Sequence, residues 1–299
     1  MTAQIPNRPF TVSEARSLHH SDRGLRSLVD QGLIRRALRG VYVPTHIEDS
    51  LDVRLACARL VTKPHSVICD RTAAWIHGAD IFTYAETEIL PTIDVLVPRW
   101  RNPSHRKELP ERTRDLSADD VMTLDGVLIT TPLRTAMDLG CQLHPRRALA
   151  AVDALMTLHG FTRADMVRQL GRYRGRRGVV QLRRIVAAAE PGPESNRESW
   201  ARWEVIARGI PAPVVQHWVE IDDVPTYRLD MAWPRSRVAL EYDGQEHHTN
   251  AIDRLRDQRR RQRLHDLGWT IIVLTKESFS ALAIDRWTSE LAAALRLAA

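Results

Sequence analysis

The sequence predicts a multidomain chain of mixed class, α+β with an α/β part. A small helix-and-ribbon module comes first, an α-rich middle follows, and a mixed sheet flanked by helices closes the chain. Three observations lead there. At 299 residues the chain exceeds one ordinary small domain, and length alone suggests two or three cores. Apolar residues recur with helical period near the N-terminus and through the middle, and as short apolar or alternating runs toward the C-terminus. The stretch "AAAEPGPES", Ala187 to Ser195, clusters proline and glycine between two helical runs and marks a linker. The expected domains are residues 1–45, 51–190 and 195–299.

Composition sets the outer limits. A 43% apolar fraction is enough for several cores. No stretch approaches the ~20 uninterrupted apolar residues of a membrane span, and "MTAQIPNRPF" has no apolar signal core, so no membrane partner and a cytoplasmic location are expected. Cys57, Cys69 and Cys141 are far apart and lack CxxC spacing, which argues against a disulfide framework or a thiolate zinc site. Only Lys63, Lys107 and Lys276 are lysines among 43 basic residues. Arginine offers a planar fork that pairs bidentately with phosphate and guanine, and a net charge of +6 is compatible with a polyanionic partner.

In the first 45 residues "TVSEARSL" places Thr11 as an N-cap with Glu14 three residues on, a capping-box spacing. "SDRGLRSLVDQG" offers Ser21 as the next cap, Leu25, Leu28 and Val29 on one face, and Gly32 as the stop. "LIRRALRGVYVP" reads as a hairpin around Leu38, Arg39 and Gly40, closed by Pro44. Helix, helix, ribbon is the order of a winged helix-turn-helix. The stretch "GLRSLVDQGLIRRALRGVYVP" resembles the N-terminal winged-helix domain of the AbiEi family, antitoxins of type IV toxin–antitoxin systems that act as DNA-binding autorepressors. The resemblance implies that the second helix, Asp22 to Gln31, enters a major groove with Arg23 and Arg26 exposed. It also implies that Arg35, Arg36 and Arg39 on the wing meet phosphates, with DNA and a toxin as partners. The alternative is a solvated arginine face on a small interaction domain; seven arginines against three acids in this segment favour DNA.

The middle region is less informative. "LDVRLACARLV", "RTAAWIHGA" and "RRALAAVDALMTLHG" have helical period, while "TIDVLVP" and "GVLITTP" read as short strands. "ITTPLRTAMDLG" resembles a segment that follows the winged helix in AbiEi-like proteins. Structure alone explains it: Thr130 or Thr131 caps, Pro132 takes a first-turn position, and Arg134 with Asp138 forms an i, i+4 pair. No chemistry is assigned here.

From Ser195 the pattern is helix, three strands, helix, strand, helix. In "SRVALEYDG" alternation puts Val238, Leu240 and Tyr242 on one face and Arg237, Ala239, Glu241 and Asp243 on the other. The residues "WPRS" can close a hairpin that brings Asp230 alongside, so three carboxylates converge at one sheet end. Like charges so placed raise one another's pKa unless a cation compensates, and Mg2+ or Mn2+ with oxygen ligands is the natural compensator. Asp230, Glu241 and Asp243 are the expected metal ligands.

The order Asp230, "ALEYDG", "HH", a basic helix and "LGWTIIVL" resembles the PD-(D/E)XK nuclease superfamily and, within it, very-short-patch-repair endonucleases. That resemblance implies a restriction-endonuclease-like mixed sheet, a magnesium site and hydrolysis of DNA phosphodiesters. It makes His248 the general base with His247 as fallback, and matches Glu198 to a helix-borne acid of some relatives. The basic helix, with Arg256 and Arg260, would grip phosphates. Asp243 departs from the superfamily by standing where the usual lysine would be. Bland readings stand beside these: Glu198 as a capping-box acid, the histidines as surface residues, Asp257 with Arg261 as a helix pair. The expected function is a DNA-binding protein with a metal-dependent endonuclease-like domain. A type IV antitoxin-like repressor with an inactive nuclease fold is the alternative, and an RNA nuclease a third.

Overall fold

A computed structural model of the chain describes residues 5–82, 93–97, 111–244 and 251–297. The mixed α/β multidomain class read from the sequence is the one the chain adopts, with three sheets among the described residues. The chain divides into two compact units, Met1–Gln142 with Leu158–Val179, and Leu143–Thr157 with Val180–Ala299. No described helix is long and apolar enough to cross a membrane.

The first unit opens with β1 (Phe10–Thr11), α1 (Val12–Ser17), α2 (Asp22–Asp30) and a ribbon of β2 (Ile34–Leu38) and β3 (Val41–Pro44). Both helices start where side-chain oxygens satisfy orphan N–H groups: Thr11 accepts from Glu14 N at 3.1 Å and Ser21 from Gly24 N at 3.0 Å. Glu14 does not return the favour as a capping box; its carboxylate pairs with Arg8. Gly32 ends α2 at φ 70°, a left-handed conformation that costs glycine nothing. Phe10, Ala15, Leu25, Ile34 and Tyr42 form a small core. The ribbon also contributes Ala37, Leu38, Val41 and Val43 to a second core with Leu55, Ile68, Ile76 and Ile129, so this module and the following region share their packing.

The unit continues through α3 (Leu51–Arg59), β4 (Val67–Ile68), α4 (Asp70–Ile76), β5 (Val95–Val97), β6 (Glu111–Thr113), β7 (Val121–Leu124), β8 (Val127–Thr130) and α5 (Pro132–Gln142). Its five strands form one sheet in the order β6-β5-β4-β8-β7. The α-rich reading of this region captured the helices and understated the sheet. Strands of two to four residues are too short to display an alternating pattern.

The second unit takes most of α6 (Pro145–His159); α7 (Arg163–Gln169) lies in the first unit, and α8 (Val179–Ala188) and α9 (Asn196–Ala207) follow. A four-stranded mixed sheet comes next, in the order β12-β11-β10-β9, from β9 (Val214–Ile221), β10 (Val224–Trp233), β11 (Val238–Tyr242) and β12 (Thr270–Leu274). Antiparallel β10 and β11 pair Met231 with Leu240 and Trp233 with Val238, whereas β11 and β12 run parallel. Helix α10 (Ala251–Asp266) makes that crossover and α11 (Ala281–Leu297) ends the chain. Leu240 and Val238 pack with Ala201, Val205 and Trp287 on one face; Ala239 packs with Leu264 and Trp269 on the other. This second face, under α10, carries the candidate site.

An ion pair ties α6 to α9. Asp153, fully buried, accepts from Arg202 Nη2 at 2.5 Å, Ser199 Oγ at 2.8 Å and Glu190 N at 3.0 Å, while Arg202 also donates to the Ala188 carbonyl. Removing one partner leaves a buried, uncompensated charge, which typically costs roughly 3–5 kcal/mol. Asp153→Ala is therefore expected to lower stability by about that amount, read as an earlier midpoint in urea unfolding with little change in slope.

Candidate functional site

Asp230, Glu241 and Asp243 all line one cavity of about 250 Å³, together with Tyr242, Gly244, Asp257, Arg260, Arg261 and Val273. The hairpin between β10 and β11 accounts for the approach. Continuing the register from Met231 and Leu240 by one step sets Asp230 opposite Glu241. Asp230 Oδ2 accepts from the Tyr242 backbone N–H at 2.9 Å, and Asp243 N continues the ladder to the Leu274 carbonyl at 2.8 Å.

The carboxylates are compensated from α10. Arg260 forks onto Glu241, with Nη1 to Oε2 at 2.9 Å and Nη2 to Oε1 at 2.5 Å, and Nη2 also donates to the Arg228 carbonyl. Arg261 donates to Asp243 at 2.9 Å and pairs with Asp257 one turn earlier at 2.6 Å. Burial pushes Asp230 up first, with Glu198 adding to it. The Tyr242 N–H opposes both, Glu241 raises it again and Arg260 lowers it; the net is a carboxyl raised to about 7. The Arg260 guanidinium is held above its ordinary range by the Glu241 hydrogen bond.

This arrangement does not fit a hard divalent cation. Both oxygens of Glu241 are occupied by one guanidinium, and Asp243 faces another. Among the described residues no group of three or more histidines, cysteines, aspartates or glutamates is arranged to hold a metal ion. Glu198 is buried and its oxygens accept from Ser195 Oγ at 2.8 Å, Glu194 N at 3.0 Å and Gln216 Nε2 at 3.0 Å, which is the work of an N-terminal cap. Burial raises its pKa. Lys276 is exposed and lies outside the cavity lining. His247 and His248 fall outside the described residues.

Of the arginines expected at nucleic acid, Arg23, Arg26, Arg36, Arg39 and Arg256 are exposed. Arg26, Arg36 and Arg39 line a concavity of about 690 Å³ with Arg16, Asp22 and Tyr42, between α2 and the ribbon. Arg35 is half-buried and turned inward, donating to the Ile47 carbonyl at 3.3 Å with Asp49 at 3.9 Å. Arg260 is likewise engaged, on Glu241.

Sequence reading missed a buried charge network in the first unit. Arg134, 3% exposed, donates to Asp138 at 2.8 Å, to Asp120 at 2.8 Å and to the Asp115 carbonyl. Arg114 bridges Asp70 and Asp138, each at 2.7 Å, and Tyr173 OH donates to Asp138 at 2.9 Å. Burial works to raise Asp120, but the Arg172 hydrogen bond, the Ser117 N–H and Arg134 together hold it down at about 2. A cavity of about 260 Å³ adjoins Asp120, Arg134, Arg172 and Tyr173. The i, i+4 pair Arg134–Asp138 was the visible corner of this network.

Residues 66–187 match the family model described as the AbiEi antitoxin C-terminal domain. Two relatives from Mycobacterium tuberculosis are similar: "Uncharacterized protein MT2308" of strain CDC 1551 / Oshkosh and "Uncharacterized protein Rv2248" of strain ATCC 25618 / H37Rv. Each is 34% identical over 244 residues, covering 82% of this chain and 86% of the relative.

Two outcomes follow from the geometry. Arg260→Ala strands the buried Glu241 carboxylate, and urea unfolding should show a loss of roughly 3 kcal/mol or more, within the range for a broken buried pair. Asp230 titrates in the opposite sense to a salt-bridged acid. Its folded pKa of about 7 lies above the ordinary 3.8, so its contribution is fully present below about pH 4 and is lost as pH rises to about 7. Asp230→Asn is expected to flatten the fall in stability across that window, measured by unfolding at pH 4, 5.5 and 8. An identical slope in both proteins would refute the burial argument.

Proposed function

We propose, from the match of residues 66–187 to the AbiEi antitoxin C-terminal domain, that this chain, a member of one family with the two Mycobacterium tuberculosis relatives, is an antitoxin-like, DNA-binding transcriptional regulator whose nuclease-like C-terminal module binds rather than cuts. The observation that carries the non-cutting half is the pairing of Arg260 and Arg261 with Glu241 and Asp243. A phosphodiester hydrolase of the metal-dependent kind needs carboxylate oxygens free for a cation. Here both Glu241 oxygens and Asp243 Oδ2 already have guanidinium partners.

The DNA-binding half rests on the N-terminal module. It has the element order of a winged helix-turn-helix, with Arg23 and Arg26 on the exposed side of α2 and Arg36 and Arg39 at the ribbon. In this reading α2 reads a major groove, and the arginines of the concavity meet phosphates on either side of it. Arg35, held by Ile47 and Asp49, stiffens the ribbon instead of touching DNA. The exposed Arg256, Arg259 and Arg263 of α10 add sequence-independent phosphate contacts. The antitoxin role implies a toxin partner.

A metal-dependent endonuclease remains the second reading, favoured by one observation: three carboxylates do face one cavity at a sheet end. Two measurements separate them. The full-length protein should protect a discrete site in its own promoter, and Arg26→Ala with Arg36→Ala should weaken that binding about tenfold or more and flatten its salt dependence. Plasmid DNA with Mg2+ or Mn2+ should remain uncut by the wild-type protein. Nicking by wild type that disappears in Asp230→Ala with Glu241→Ala would overturn the non-cutting assignment.

A further inference from the structure

We propose that Glu241 and Asp243 act as internal phosphate surrogates, masking Arg260 and Arg261 so that α10 holds a weakened grip on the backbone of duplex DNA until these carboxylates are displaced. The proposal rests on the DNA-binding reading above and adds to it how strongly the C-terminal unit engages.

The geometry is that of a phosphate contact made with a side chain. A guanidinium binds planar or tetrahedral oxyanions through two parallel N–H groups, and Arg260 presents such a fork to both oxygens of Glu241. Arg261 reaches Asp243 with one nitrogen. Neither arginine is sealed in: their side chains are 28% and 37% exposed, and the cavity between them and the strand is about 250 Å³. Displacement therefore requires a change of partner and no unfolding.

The helix around them already presents positive charge to solvent. Leu264 is fully buried on the sheet side, while Arg256, Arg259 and Arg263 are exposed. Positions 256, 259, 260 and 263 are three or four residues apart, so they form one continuous stripe along α10. Freeing Arg260 would complete that stripe, and freeing Arg261, about 100° further round the helix, would add a second positive group at the cavity. The charge count supports a mask: Asp230, Glu241, Asp243 and Asp257 line the same cavity as the two arginines, so the site repels phosphate as long as Glu241 and Asp243 are charged.

The test measures full-length protein binding to a random-sequence duplex that lacks the promoter site, over a series of salt concentrations. Glu241→Gln with Asp243→Asn keeps shape and removes charge. It is expected to bind severalfold tighter at low salt and to steepen the log–log salt slope by about 1, the step for the phosphate contact freed at Arg260, since Arg261 keeps Asp257. Adding Arg260→Gln and Arg261→Gln should abolish the gain. Asp222→Asn with Asp223→Asn, two exposed acids at φ 52° and 62° where asparagine is tolerated, makes the same change in net charge away from the cavity and should give a much smaller effect.

If the double carboxamide variant fails to fold, Asp243→Asn with Asp257→Asn serves, because these two acids hold Arg261 and are more exposed than Glu241. A comparable slope change, from Arg261, is then expected. A folded carboxamide variant that binds no tighter than the Asp222, Asp223 control overturns the mask. Promoter protection read on the same proteins keeps the two ideas apart. Its absence in wild type sinks the regulator reading, while a gain on random duplex still upholds the mask.

Discussion

Burying carboxylates requires positive partners within hydrogen-bond reach, and in this chain those partners are arginines. The requirement recurs at Asp153 with Arg202, at Asp70, Asp120 and Asp138 with Arg114, Arg134 and Arg172, and at Glu241 and Asp243 with Arg260 and Arg261. A lysine would not substitute. Its ammonium is a compact, strongly hydrated point charge, whereas one guanidinium can satisfy two acids at once, as Arg134 and Arg114 do. With three lysines among 43 basic residues, the composition supplies the counter-ions from within the fold. An excess of arginine that looks like a surface for nucleic acid is in good part an interior resource.

That constraint governs the candidate site. Three acids near one sheet end pose an electrostatic problem with two solutions, an external cation or an internal one. The helix between β11 and β12 passes over the same face and carries arginines at 260 and 261, so the internal solution is within reach of the topology itself. Asp230 accepts the Tyr242 backbone N–H, and burial with the nearby Glu198 pushes its carboxyl up to about 7. The guanidiniums of Arg260 and Arg261 supply at Glu241 and Asp243 the positive charge that a cation would otherwise bring.

Local features were legible in the sequence because they rest on neighbours in the chain. Thr11 and Ser21 cap the helices they were expected to cap, Gly32, Gly209 and Gly268 stand at helix ends with φ between 70° and 83°, and "WPRS" closes the β10–β11 hairpin. Asp230, Glu241 and Asp243 lie around one cavity for the same reason, since alternation and a tight turn are local facts. What escaped is non-local. Arg260 and Glu241 are 19 residues apart and Arg114 and Asp70 are 44 apart, and no period in the sequence links them. The five-stranded sheet was hidden by its short strands, although Asp125 and Gly126, at φ 46° and 80°, are a hairpin turn that "LDGV" could have announced.

The same chemistry therefore serves two ends that sequence alone does not separate. An arginine beside a carboxylate at close range is a folded-state contact; an arginine facing solvent on the same helix leaves its charge at the surface. On α10 the two kinds alternate within a single turn, Arg259 exposed and Arg260 engaged. Which kind a residue becomes depends on whether a strand carboxylate lies beneath it, and strand alternation decides that: Glu241 faces α10, while Leu240 and Tyr242 face the opposite core. A one-residue shift in the register of β11 would turn Glu241 away, leave Arg260 without its partner, and bring Leu240 under the arginines. Register in the four-stranded sheet thus sets how much of the positive charge on α10 is compensated from within the fold.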